Sequence, residues 1–135
     1  MQDKKVCDWG CSSLNDFSDD LHLTWPDRSD FQVTHRYKVM TIRLDTFLEL
    51  YDINHIDYLW IDAQGSDFNV LQSLGNKIRI VKEGKCEGSE RVNLYKNIDN
   101  NSRNIAQYLQ QHGFSTLIQP IGLGQESDIH FKKRI

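Results

Sequence analysis

The sequence predicts an α/β domain with a mixed sheet that is mostly parallel and ends in an antiparallel C-terminal hairpin. Residues 58–61 form a short apolar run between two aspartates, which is typical of a strand buried in a parallel sheet. A turn at residues 64–66 follows, and the next apolar residues recur at helical spacing: Phe68, Leu71 and Leu74. A strand, a tight turn and a helix within so short a stretch indicate the opening of a βαβ unit.

Upstream of this unit, the pattern predicts one strand and one helix. Residues 31–44 alternate loosely between apolar and polar side chains, which indicates a strand that is interrupted near Arg36. Asp45 is well placed to cap the helix that follows. The apolar side of that helix is expected to consist of Phe47, Leu50 and Tyr51.

Downstream, a second parallel strand is predicted to start at Ile78 and to extend toward Glu87. A helix then begins at a cap formed by Asn101 or Ser102, and Gly113 ends it in the left-handed conformation. The apolar stripe of this helix consists of Ile105, Tyr108, Leu109 and His112. The closing hairpin consists of residues 114–118 and residues 128–132.

The composition is that of one ordinary globular domain. The chain has 135 residues and a formal net charge of −3, so charge gives no support for binding to nucleic acid or to an anionic membrane. No apolar stretch approaches the roughly eighteen residues of a membrane span, and no signal peptide is recognisable, so a cytoplasmic location is expected. Residues 1–30 form an irregular acidic segment that is expected to pack on the domain of residues 31–135. The residues expected to anchor it are Trp9, Leu21, Leu23 and Trp25.

Candidate metal ligands and disulfides are few. The cysteines are Cys7, Cys11 and Cys86. Their odd number, without a histidine at ligand spacing, argues against a disulfide framework or structural zinc and favours reduced thiols. Asp62, Glu83 and Glu87 lie near the ends of the parallel strands and would offer oxygen ligands to Mg²⁺, but acids at strand ends are also common as solvated carboxylates. The sequence therefore predicts no metal site.

Two stretches resemble the core signature of FkbM-type methyltransferases. Residues 41–45 read TIRLD, and residues 56–67 read IDYLWIDAQGSD. The family pattern is roughly T-(I/L)-x-L-D, a spacer, and I-D-x-L-K-I-D-(V/A/T)-(E/Q)-G-x-(E/D). Trp60 therefore replaces the usual Lys, where it is expected to add bulk to the core, and Asp67 replaces the usual Glu. The resemblance covers about residues 31–133, and its later landmarks are Glu87, Leu94, Tyr95 and residues 110–114.

The resemblance implies a truncated Rossmann-like sheet of the class I methyltransferase type, and methyl transfer from S-adenosylmethionine to a hydroxyl, for example of a saccharide. Because ligands of open α/β sheets bind at the carboxyl ends of the strands, catalytic roles fall to Asp62 and Gln64. Asp62 either contacts the acceptor or caps the next helix, whereas the neutral Gln64 amide orients and cannot accept a proton. Cofactor-binding roles fall to Asp45, which is also a helix cap, and to Gly65, which the turn also requires sterically. Asp67 is expected to interact with the helix dipole.

The part of a class I fold that carries the cofactor is not recognisable in this sequence. In the class I methyltransferases that this chain resembles, a complete sheet has seven strands, and the first turn between a strand and a helix carries a Gly-rich loop for S-adenosylmethionine. About forty residues precede residues 41–45, too few for two further βα units of roughly thirty residues each. Residues 5–13 contain a partial match to the loop, the D-x-G of residues 8–10. They lack the second glycine and a following helix, so they are also consistent with a surface turn.

Three functions therefore stay open: a methyltransferase, a non-catalytic remnant or interaction module, and half of a split methyltransferase. Without a first half, residues 58–61 would have an unpaired apolar edge, which residues 31–39 or a second subunit is expected to cover. The expected partners are then a second copy or another chain across that edge, and a small-molecule or saccharide acceptor. Nucleic acid and membrane are not expected partners.

Overall fold

The computed structural model describes residues 9–135, which form a mixed α/β fold around a four-stranded sheet. The strands are β1 (Ile56–Trp60), β2 (Val81–Ser89), β3 (Phe114–Ile121) and β4 (Glu126–Lys133). The helices are α1 (Leu21–Thr24), α2 (Leu44–Leu50), α3 (Asp67–Ser73) and α4 (Ser102–Gln111). Short 3-10 helices span Trp9–Cys11 and Gly75–Ile80. The predicted α/β class is confirmed.

The sheet has the order β1-β2-β4-β3, and β1 and β2 are its parallel pair. β4 pairs antiparallel with both β2 and β3. The C-terminal hairpin is therefore confirmed, whereas the prediction of a mostly parallel sheet is wrong. The reason is that α4 carries the chain to the far edge of the sheet, and the hairpin then turns β4 back into the position beside β2.

The helices that contact the sheet cover one of its faces. α4 contacts β2, β3 and β4, and α3 packs beside α4, with the rings of Phe68 and Tyr108 5.5 Å apart. The buried core includes Leu71, Leu74, Cys86, Ile105, Leu109, Phe114, Ile129 and Phe131. A row on the opposite face consists of Trp60, Lys85, His130 and Leu117, which are ladder neighbours. Trp60 and Leu117 are 68% and 63% exposed, so within the described residues this face is uncovered.

Among the described residues, 9–135, β1 lies at an edge of the sheet and not between two strands. Tyr58 and Trp60 are exposed, and Ile61, just past the strand, is buried. The predictions of a buried strand and of Trp60 as a core residue are therefore wrong. An apolar run becomes buried only where other elements cover it, and a local pattern does not report those elements.

Residues 31–43 form no strand, so the prediction from their alternation is wrong. The prediction that residues 31–39 cover the free edge of β1 is also wrong, because these residues do not pair with that strand. The exposed apolar side chains of this segment are Val33, Tyr37, Val39, Met40 and Ile42. Alternation alone does not make a strand, because the backbone groups of a strand need a partner ladder.

α2 begins at Leu44, with Arg43 in the capping position, so Asp45 lies in the first turn and is not the cap. The buried residue of α2 is Leu48, and Leu44, one turn earlier, packs against the core. The predicted apolar side of this helix is wrong, because its members are exposed: Phe47, Leu50 and Tyr51.

The predictions for α3 and α4 are confirmed, except that His112, predicted as part of the apolar stripe of α4, lies beyond the end of that helix and is exposed. Phe68, Leu71 and Leu74 are buried. The Asn101 side chain caps α4 by accepting hydrogen bonds from the backbone N–H groups of Arg103 (3.0 Å) and Asn104 (3.3 Å). Gly113 follows the helix with φ 87°, in the left-handed region. β2 begins at Val81, later than predicted, because Gly75–Ile80 forms a 3-10 helix.

The N-terminal segment agrees only in part with the sequence analysis. Leu23 is 72% exposed, so the prediction that it packs on the core is wrong, whereas Trp25 contacts the ring of Phe31 edge-on. Residues 1–8 and the Trp9 side chain lie outside the described residues. Cys7 and most of the partial D-x-G match at residues 8–10 therefore lie outside them as well. Among residues 9–135, no helix has the length and apolar character needed to cross a membrane. The cytoplasmic location stays a prediction.

Candidate functional site

The turn that links β1 to α3 bends through two consecutive residues in the left-handed region. Gln64 has φ 45° and Gly65 has φ 92°. For a residue with a Cβ, such as Gln64, this conformation costs about 1 kcal/mol, so surrounding contacts must hold it. At Gly65 a Cβ atom would lie 2.6 Å from Cδ2 of Tyr95, so glycine is required for close approach as well as for backbone conformation.

Gln64 is held by hydrogen bonds at both ends of its side-chain amide. Its Nε2 donates to Asp62 Oδ1 (2.6 Å), and its Oε1 accepts from the Tyr95 hydroxyl (2.9 Å). The two residues predicted as catalytic, Asp62 and Gln64, are therefore in direct contact at the carboxyl end of β1. Sequence analysis recognised Tyr95 as a family landmark but did not assign it to the site.

Asp67 joins the ends of the two parallel strands. It is 1% exposed at the start of α3, and its Oδ2 accepts a hydrogen bond from the backbone N–H of Ala63 (3.3 Å). Its Oδ1 accepts from the backbone N–H of Glu87 (3.0 Å). Burial raises the pKa of the Asp67 carboxyl, while these two hydrogen bonds oppose that rise. The side chain therefore does more than interact with a helix dipole, the role that the sequence suggested.

Glu87 lies near the end of β2 and lines a crevice beside the β1 turn. The crevice has a volume of about 290 Å³, including its part open to solvent. Its lining includes Gln64, Gly65, Glu87, Tyr95, Asn100 and Glu126. Burial, followed by the negative charges of Asp62 and Glu126, raises the pKa of Glu87 to about 7. A carboxyl group with this pKa exchanges its proton near neutral pH, which is the property of a general acid or base.

Glu83, the third carboxylate that the sequence offered as a metal ligand, does not line the crevice. Glu83 lies four residues before Glu87 on β2, and its Oε2 is 3.5 Å from Lys132 Nζ. Within residues 9–135, no set of three or more His, Cys, Asp or Glu side chains is arranged to hold a metal ion. Glu126 does line the crevice, and burial, with the charges of Asp67 and Asp62, raises its pKa.

Asp45 lies away from the turn at Gly65. Its carboxylate pairs with Arg43, with Nη2 and Oδ2 2.8 Å apart, and the hydrogen bond from Arg43 lowers the pKa of Asp45. It lies next to Gly75, beyond the C-terminal end of α3, whereas Gly65 precedes the N-terminal end of that helix. The structure therefore brings together Asp62, Gln64 and Gly65, and it does not bring Asp45 to them.

An N-terminal strap, residues 13–18, packs over the turn and over the loop that carries Tyr95. The Ser13 hydroxyl donates to the Gln64 carbonyl (2.6 Å), and Asn15 Nδ2 donates to the Ser66 hydroxyl (2.9 Å). The rings of Phe17 and Tyr95 stack with centroids 5.5 Å apart. No local pattern in residues 13–18 signals these contacts, because each depends on a residue far along the chain.

Comparison with known proteins identifies the family. Searches of curated proteins and of solved structures found no significant match. The family model described as the methyltransferase FkbM domain matches residues 2–116, which is most of the 135-residue chain. This match includes the β1 turn, Glu87 and Tyr95, and it confirms the resemblance seen in residues 41–45 and 56–67. The chain therefore belongs to the FkbM methyltransferase domain family.

Proposed function

We propose that this chain provides the acceptor side of a methyltransferase that transfers a methyl group from S-adenosylmethionine to a hydroxyl, for example of a saccharide. Family membership supports methyl transfer. The observation that supports a role on the acceptor side is the position and pKa of Glu87. This residue lines the crevice beside Gln64, and its pKa is raised to about 7. A hydroxyl that becomes methylated must lose its proton, and a base with a pKa near the working pH accepts it most effectively.

In this proposal Glu87 and Gln64 have separate tasks. The Glu87 carboxylate would accept the proton of the acceptor hydroxyl. The hydroxyl oxygen would take the methyl group, whose bond to the sulfur of S-adenosylmethionine breaks to leave S-adenosylhomocysteine. The Gln64 amide nitrogen carries two hydrogens, of which one is donated to Asp62 and the second can be donated to the acceptor oxygen. Asp62 and Tyr95 fix the orientation of that amide from its two ends. Asp62 therefore acts on the acceptor through Gln64, and catalysis rests largely on positioning.

The described residues do not fit the whole of S-adenosylmethionine. Pockets that bury a ligand of drug size have volumes of roughly 300–1,000 Å³. The enclosed space of the crevice is far smaller, about 10 Å³, which is roughly the room of one water molecule. Residues 9–55 contain no strand of the sheet, and hence no strand, Gly-rich turn and helix in succession. We therefore propose a truncated Rossmann-like sheet in a split arrangement, in which protein outside the described residues holds the cofactor next to the free edge of β1.

The proton affinity of Glu87 tests the proposal directly. With ¹³C-labelled glutamate, we expect the Glu87 carboxyl resonance to titrate with a midpoint of about 7. The Glu87→Gln variant lacks this resonance and so assigns it. A midpoint near the ordinary value of about 4.3 would remove Glu87 as proton acceptor at neutral pH and would overturn the proposed role.

The same sample also tests the split arrangement. S-adenosylhomocysteine is titrated into the chain by calorimetry, and we expect no saturable binding below millimolar concentration. A micromolar Kd, which corresponds to about −8 kcal/mol, would contradict the split arrangement and show that the chain holds the cofactor by itself. The proton-acceptor role of Glu87 does not depend on that outcome.

A second candidate function is self-association through β1, and the free edge of that strand supports it. The backbone N–H of Ile61 donates toward β2, to the Lys85 carbonyl (2.9 Å). Because backbone groups alternate along a strand, the N–H and C=O of Tyr58 face the free edge. A second copy paired antiparallel about Tyr58 would set Ile56 opposite Trp60, with no like charges directly opposite. We propose a two-fold dimer with a continuous eight-stranded sheet as this alternative.

Tyr58→Pro tests the dimer, because it removes an N–H that faces outward and leaves the hydrogen bonds between β1 and β2 intact. In sedimentation equilibrium over a concentration series, we expect a dimer for the unmodified chain and a monomer for this variant. Leu117→Lys, on β3 at the other edge of the uncovered face, is the control and should remain dimeric. A monomeric unmodified chain, or a dimer that survives Tyr58→Pro with unchanged circular dichroism, would contradict the proposal.

A further inference from the structure

The two parallel strands separate where the crevice begins. The backbone hydrogen bond from Ile61 N–H to Lys85 O is 2.9 Å long and is the last between β1 and β2. In a parallel ladder that continued, Glu87 N–H and Ala63 N–H would bond across to the facing strand. Both N–H groups bond instead to the carboxylate of Asp67, at 3.0 Å and 3.3 Å. One side chain therefore replaces two ladder hydrogen bonds.

A second buried side chain completes this replacement. Asn100 is 4% exposed, and its Nδ2 donates to the backbone carbonyl of Glu87 (3.2 Å). Its Oδ1 accepts from the backbone N–H of Phe68 (3.0 Å). Both backbone groups of Glu87 that face β1 are thus satisfied by side chains at the start of α3 and before α4. This arrangement keeps β2 in strand geometry while β1 turns away, and the space between them is the crevice.

Burying a carboxylate such as Asp67 is unfavourable unless its oxygens receive hydrogen bonds. At Asp67 both oxygens do, and both donors belong to the segments that form the walls of the crevice. An apolar side chain at this position would leave these two partly buried N–H groups without a hydrogen-bond partner, which is unfavourable. The residue is therefore suited to hold two backbone segments at a fixed separation.

We propose that Asp67 is a positioning residue for methyl transfer: its carboxylate holds the β1 turn and the end of β2 apart, and so directs the Glu87 side chain into the crevice beside Gln64. This inference rests on the proposed function of Glu87. Asp67 itself does not line the crevice, and it acts through the backbones of Ala63 and Glu87. Its negative charge also lies close enough to contribute to the raised pKa of Glu87.

Asp67→Asn tests the inference, because an amide of the same shape has one acceptor oxygen where the carboxylate has two. We expect amide hydrogen exchange at Ala63 or Glu87 to become at least about tenfold faster, which is the change for one lost hydrogen bond of roughly 1.4 kcal/mol. The titration midpoint of Glu87 should fall at the same time, since a neighbouring negative charge is lost. Unchanged exchange at both amides would overturn the inference.

Asp62→Asn is the matched control. It also removes a negative charge that raises the pKa of Glu87, but Asp62 accepts no hydrogen bond from Ala63 or Glu87 among the described contacts. We expect it to lower the Glu87 midpoint and to leave both amides protected. Faster exchange in both variants would mean that charge, and not the bridge, protects the amides, which overturns the inference. A midpoint near 4.3 in the unmodified chain would instead overturn the proposed function of Glu87, whatever the amides show.

Discussion

Replacing Gly84 with alanine is expected to destabilise the protein by about 3–5 kcal/mol, or to prevent folding altogether. Gly84 lies in β2 opposite Leu59 of β1, and a Cβ atom there would overlap the Leu59 carbonyl oxygen. The same atom would lie 2.5 Å from Cζ of Phe131, a core ring. A carbonyl in a ladder cannot shift as the end of a flexible side chain can, so β1 and β2 would have to separate.

Urea unfolding of Gly84→Ala measures this loss, and Gly122→Ala provides the matched control. Gly122 lies in the turn between β3 and β4 with φ 55°, and an added Cβ would meet nothing within 4 Å. The control should therefore cost only about 1 kcal/mol, the strain of the left-handed conformation. Similar losses in the two variants would show that the close approach of β1 to β2 at Gly84 is not as the structure describes.

Replacing Glu87 with glutamine is expected to remove a fall in stability as the pH rises from about 5 to about 8. The pKa of Glu87 is about 7 in the folded chain, whereas an unfolded glutamate has a pKa of about 4.3. Between these values the folded state binds more protons than the unfolded state, so the free energy of unfolding decreases as the pH rises. Below the pKa of the unfolded glutamate, Glu87 does not lower the free energy of unfolding. Above the pKa of Glu87 in the folded chain, the loss has reached its full size.

The expected size of this effect is about 2 kcal/mol, which allows for solvent screening of a half-buried group. Urea unfolding of the unmodified chain and of Glu87→Gln at both pH values measures it as a difference, so the contributions of other titrating groups largely cancel. The variant should equal or exceed the unmodified chain in stability at about pH 8. Parallel pH dependence in the two proteins would mean that Glu87 is not held in an environment that disfavours its charge.

The elements that sequence analysis predicted well are those that local pattern and end signals define. Phe68 and Leu71 on α3, and the Asn101 cap and Gly113 on α4, occupy the predicted positions. The predictions that are wrong concern which strands pair and which elements pack against each other. β1 is an edge strand and residues 31–43 are irregular, because pairing depends on neighbours that a local alternation does not specify.

The candidate site divides in the same way. Asp62 and Gln64 were predicted from their position after a strand, and their contact agrees with that position. The sequence marks Glu87 as a possible metal ligand and a family landmark but not as a proton acceptor, because the burial and the neighbouring charges that raise its pKa exist only in the folded chain. The bridging role of Asp67 depends on an N–H group twenty residues away, and sequence spacing gives no sign of it.

The N-terminal strap also bears on the size of molecule that can reach Glu87. It bonds to Gln64 on one wall of the crevice, and its backbone bonds to the loop of the other wall, from Ser18 N–H to Leu94 O (2.8 Å). Because one segment fastens both walls, they cannot spread independently. An acceptor larger than the crevice can therefore reach Glu87 only if the strap is displaced. Residues 13–18 would thus limit the size of the acceptor, although they supply no group that accepts or donates the transferred proton.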